Sequence, residues 1–163
     1  MKMNAILFIV LAFGLIALPA CGGKTEEAGA PEKIVEAKEP GSGELLAQKI
    51  LDVFDECVAG VAELASAKPE PEELTPQLEE LYQEYQVKMA ELNREYLALR
   101  EQDISQFGAA NSYLGEHRGR HVFQKDNLLG EAVAYYNFQK GDQELVKLLT
   151  NGPVQLLEQA LQR

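Results

Sequence analysis

The chain has no tryptophan, only two histidines and two cysteines, and an aromatic content of 7%. A core drawn from its 46% apolar residues is therefore mostly aliphatic. It contains no Cys-x-x-Cys, no His-Glu-x-x-His, no Glu-x-x-His and no glycine-rich phosphate loop, the spacings that mark common zinc, di-iron and nucleotide sites. No nucleophile, base and orienting group can be assembled from it, so a domain that is not an enzyme is expected. Basic side chains are the scarce charge: 15 Lys and Arg stand against 26 Asp and Glu, a net charge of −11. That balance argues against nucleic acid and against electrostatic docking on anionic lipid. The longest apolar run, residues 5–18, is 14 residues and falls short of the roughly 20 that a membrane-spanning helix needs.

That run has a different use. Met1 and Lys2 give a short positive start, the apolar run follows, and Leu18, Pro19 and Ala20 lead into Cys21. These are the parts of an export signal covering residues 1–20. Leu18-Pro19-Ala20-Cys21 resembles the lipobox of bacterial lipoprotein precursors, with Pro19 where a small or aliphatic residue is more usual. The resemblance covers about the first 23 residues and implies a covalent lipid on Cys21, cleavage before it and acylation of the new amino group. Several acyl chains, at about 0.8 kcal/mol per buried methylene, would hold the protein at the membrane. Gly22 and Gly23 stand where an aspartate would signal inner-membrane retention, so the resemblance implies the outer membrane, facing the periplasm.

Residues 21–43 change character, with Ile34 and Val35 as their only large apolar side chains among Gly, Pro, Glu and Lys. Such a segment cannot bury enough surface to offset chain entropy and reads as a tether spanning roughly 26 Å as a coil. Residues 44–163 remain for one domain, for which an all-α fold is expected. From about Ser42 to Ala67 two apolar rows run side by side: Leu46, Ile50, Val53, Cys57, Gly60, Leu64, and Ala47, Leu51, Phe54, Val58, Val61, Ala65. A stripe this wide belongs to a helix covered by more than one neighbour. Three prolines then interrupt, and Thr75-Pro76 reads as the next helix start. Leu78, Tyr82, Tyr85, Met89, Leu92, Tyr96 and Leu99 follow at steps of four and three, the seam of a coiled coil. The two helices are expected to form a long antiparallel hairpin. Shorter helices at about 109–121, 126–139, 142–150 and 153–162 would pack on it, divided by Gly141-Asp142 and Asn151-Gly152-Pro153.

The tyrosine seam reads first as core with hydroxyls at the edge, and second as a small-ligand groove. The 113–125 stretch, YLGEHRGRHVFQK, holds both histidines. On a helix His117 and His121 share a face and, with Glu116, would offer ligands to zinc or copper. Arg118, Arg120 and Lys125 would alternatively make a basic island for an anionic group, a lipid phosphate or an acidic protein face. No cofactor beyond the lipid on Cys21 is called for. Two functions follow: an envelope lipoprotein whose non-catalytic helical domain binds another protein, or a small-ligand or metal-binding bundle using the tyrosines or the His117/His121 pair.

Overall fold

In the computed structural model, residues 41–162 are described, and every regular element among them is helical. Residues 1–40, with the expected signal, Cys21 and most of the tether, lie outside the described residues. The elements are α1 (Ser42–Ser66), α2 (Pro71–Gln102), α3 (Ile104–Ala134), a π-helical turn (Tyr135–Lys140) and α4 (Gln143–Ala160).

The row Ala47, Leu51, Phe54, Val58, Val61, Ala65 of α1 is buried throughout, and the other is buried at Leu46, Ile50 and Cys57 and half-buried at Val53, Gly60 and Leu64, because α1 packs against all three other helices. Gly60 lies against Leu81 and Lys49 pairs with Glu95, so α1 and α2 form the expected antiparallel hairpin. α1 and α3 run in the same direction, since Gly43 meets Gln106, Asp55 meets His121 and Lys68 meets Glu131. α2 and α4 do likewise, through Tyr82 with Leu148 and Asn93 with Ala160. The result is an up-down-up-down four-helix bundle in which the parallel neighbours pack most extensively.

Helix α2 starts earlier than Thr75-Pro76. Pro71 takes the first turn, where its missing N–H costs nothing, and the extra turn buries Leu74 completely. Pro76 is exposed inside the helix, so the carbonyl it leaves unbonded, that of Glu72, faces water. Asp103 alone separates α2 from α3 and caps the latter, its carboxylate accepting from the amides of Ser105 and Gln106.

The segments expected as short helices fuse into two long ones. α3 runs unbroken through Gly115 and Gly119 because Ala110, Leu114, Lys125 and Leu129 keep one continuous inner face. The π-helical turn that continues it stops at Gly141, whose φ of 68° is the left-handed conformation expected of a helix-ending glycine, and Asp142 caps α4. Asn151-Gly152-Pro153 does not interrupt α4. Around the proline, outside donors take up carbonyls: the Tyr82 hydroxyl donates to Leu148 at 2.9 Å and the Lys125 ammonium to Thr150 at 3.2 Å. The fully buried Pro153 then packs in the core.

Gly152 permits the close approach of α2 and α4, since a Cβ there would lie 2.4 Å from Tyr82 Cζ. Gly152→Ala is expected to cost about 1–3 kcal/mol. In a Tyr82→Leu background, where the ring is gone, the same change should cost less than about 0.5 kcal/mol. A double-mutant cycle by urea denaturation measures that difference.

Candidate docking face on helix α3

The 113–125 stretch occupies the middle of α3 and presents two unlike sides. On the inner side, His121 Nδ1 lies 2.7 Å from Asp55 Oδ2 of α1, with its side chain only 12% exposed. Lys125 is 4% exposed and donates to Asp126 Oδ1 at 2.6 Å as well as to Thr150 of α4. A buried ammonium is tolerable only when so paired. Arg118 reaches Glu158 of α4 at 3.5 Å. Each of these side chains ties α3 to a neighbouring helix.

The basic residues therefore form no common surface. Arg118 and Arg120 are two positions apart, about 200° around a helix, and project from opposite sides, while Lys125 is inside. Nor are the metal candidates gathered into one site. His121 is engaged by Asp55, the His117 ring lies 4.2 Å from that of Tyr113, and Glu116 is exposed. Among the described residues no three His, Cys, Asp or Glu side chains are placed to hold a metal ion.

The tyrosine seam is core with its hydroxyls at the edge. Tyr96 donates to Asn111 Oδ1 at 2.8 Å, Tyr82 donates across to α4, and the Lys88 ammonium sits 4.2 Å from the centre of the Tyr85 ring. Beside Tyr82 runs a groove of about 260 Å³ rimmed by Gln83, Gln86, Gln155 and Gln159.

Cys57 sits beneath this seam with no exposed surface, and burial pushes its thiol up to about 12, the Lys88 ammonium opposing weakly. Burial raises Tyr82 as well, with Cys57 adding to it. The sign of the linkage follows. An unfolded thiol ionises from about 9.0 while the folded one stays neutral to about 12, so the stability it contributes is complete below pH 9 and lost across that window. The loss is about 1.4 kcal/mol per pH unit. Urea midpoints should hold from pH 7 to about 9 and fall above it, and Cys57→Ala should make the fall shallower.

The outer side of α3 carries Gly108, Ser112, Gly115, Glu116, Gly119, Arg120 and Phe123, all exposed. Three glycines elsewhere answer to close neighbours, Gly43 to the backbone of Gln106, Gly60 to Leu81 and Gly152 to Tyr82, while Gly141 serves the left-handed helix end. At Gly108, Gly115 and Gly119, as at Gly130 further along α3, nothing among the described residues lies within 4 Å of where a Cβ would stand. Each costs the helix about 1 kcal/mol relative to alanine, and no contact among the described residues accounts for it. Immediately beyond this flat track Phe123 projects with 64% of its surface exposed. Glu116 and Arg120 flank it without an ion pair among the described residues. The sequence signal for this face is the four-three-four spacing of Gly108, Ser112, Gly115 and Gly119, whereas Arg118, His121 and Lys125 of the same stretch turn to the inner side.

Comparison of the chain with protein-family models, with curated proteins and with solved structures finds no match.

Proposed function

We propose that this chain is a lipid-anchored protein of the bacterial cell envelope, held through Cys21 in the outer membrane and facing the periplasm. Its helical domain is a non-catalytic docking module for protein partners. The resemblance of Leu18-Pro19-Ala20-Cys21 to a lipobox supports the anchor. The observation that carries the docking role is the outer side of α3, where a 64% exposed phenylalanine adjoins a helix surface stripped of side chains. An exposed aromatic ring beside a run of bare helix backbone offers a partner an anchor and room to approach.

Two experiments test the reading. Cells fed an alkyne-bearing fatty acid should label the full chain, and Cys21→Ser should abolish the label; persistence of the label would remove Cys21 as the anchor. A photo-crosslinking side chain at Arg120, on the outer side of α3, should trap one discrete protein, whereas the same probe at Glu91 on α2 should trap little. Equal background at both positions would end the docking assignment.

A second reading, a small-ligand bundle, draws on the glutamine-rimmed groove beside Tyr82. A neutral polar ligand there would raise the melting temperature of the wild type and not of a Gln83→Leu/Gln155→Leu variant.

A further inference from the structure

We propose that the outer side of α3 is completed by a second copy of this chain, packed antiparallel across it. This inference rests on the reading of that side as a docking face, and names its occupant.

The argument is one of shape and charge along a single helix. Gly108, Ser112, Gly115 and Gly119 flatten the N-terminal half of the exposed side, and Phe123 stands as a knob just beyond. A surface with its hollow and its knob on the same helix, a few residues apart, fits a reversed copy of itself. A two-fold axis crossing α3 at the level of Arg118 sets Phe123 of each copy over the flat track around Ser112 of the other. The same axis brings Glu116 opposite the partner's Arg120, and Arg120 opposite the partner's Glu116. Both side chains are exposed, and neither has an ion-pair partner among the described residues. Two reciprocal pairs thus form from one residue of each sign, the hallmark of an isologous contact. The net charge of −11 makes this local balance significant, because two such copies repel on average.

The flat track also fixes how closely the helices approach. Small residues at these positions leave room for the partner's Phe123 ring to lie directly on the helix backbone, which larger side chains would prevent. The cost of the glycines to the isolated helix is then recovered in the pair.

The test uses two differently tagged full-length copies made in one cell, with the benzophenone analogue of phenylalanine replacing Phe123 in one of them. The expected product on illumination is an adduct between the two copies, mapped by mass spectrometry to residues 105–116 of the second. Glu116→Arg and Arg120→Glu should each lower its yield at least about tenfold by setting like charges together, and the two changes in the same chain should restore it. Gly115→Ala/Gly119→Ala should raise the melting temperature while abolishing the adduct, so its loss cannot be blamed on unfolding. An adduct only with a different protein would overturn the pairing and leave the docking reading standing. No adduct of any kind would overturn both. An adduct between copies that maps elsewhere, or ignores the charge exchange, would overturn the antiparallel arrangement.

Discussion

Phe54→Ala is expected to lower the unfolding free energy by about 3–5 kcal/mol. Phe54 has no exposed surface and lies in the apolar rows of α1, the helix that packs most extensively against the others. Removing its ring forfeits the transfer free energy of a large apolar side chain, and the cavity left behind cannot collapse easily, since rigid helices wall it on each side. Against the 5–15 kcal/mol typical of a domain, this is a large fraction of the whole. Urea denaturation followed by far-ultraviolet circular dichroism measures it, with Phe138→Ala as the control. Phe138 is 82% exposed at the π-helical turn, and its loss should shift stability by no more than about 0.5 kcal/mol. A cost below about 1.5 kcal/mol at Phe54 would mean that the bundle repacks around the gap.

Gly43→Ala should cost about 3 kcal/mol, at the upper end of overpacking effects. A Cβ at Gly43 would stand 1.9 Å from the carbonyl oxygen of Gln106 and 2.7 Å from its carbon. That obstacle is backbone in the first turn of α3, fixed by the Asp103 cap, and it cannot swing aside as a side chain would. The Gly43 amide also donates to Gln106 Oε1 at 2.9 Å, so the clash breaks the bond that joins the starts of α1 and α3. Hydrogen exchange distinguishes the two ways of relieving it. If only the first turn of α1 frays, protection falls at residues 45–47 alone; if α3 shifts, it falls along both helices. The identical change at Gly115, where nothing stands within 4 Å, should instead stabilise the protein by about 0.5–1 kcal/mol. Opposite signs from one chemical change would separate the contact made within the chain from the surface left open.

Much of the bundle was legible because its apolar spacing is regular. The double row of α1 announced a helix with several neighbours, and the seven-residue seam of α2 announced its partner. What failed was punctuation. Pro76, Gly115, Gly119 and Gly152-Pro153 look like interruptions, yet the helices run through all of them, because burial of Leu74, Leu129 and Pro153 outweighs local penalties. The inner face of α3 was obscured for another reason. It carries Arg118, His121 and Lys125, which resemble a solvated face until their acceptors, Glu158, Asp55 and Thr150, are known. Those acceptors lie 25 to 66 residues away in the chain, beyond the reach of any local pattern. The 113–125 stretch thus turns His121 and Lys125 inward and leaves Glu116 and Arg120 exposed, a division no local pattern announces.

The parallel pairing of α1 with α3 and of α2 with α4 has a consequence for how the protein is made. Its main cross-links, Gly43 with Gln106, Asp55 with His121, Tyr82 with Leu148 and Asn93 with Ala160, join residues 63 to 67 positions apart. Such separations are long for a helical protein, and folding should be slower than in bundles whose contacts are local. A nascent chain that has emerged only as far as Gln102 holds α1 with the row meant for α3 still bare. The hairpin of the first two helices is therefore not a stable stage on the way, and the bundle closes only when its last helix arrives.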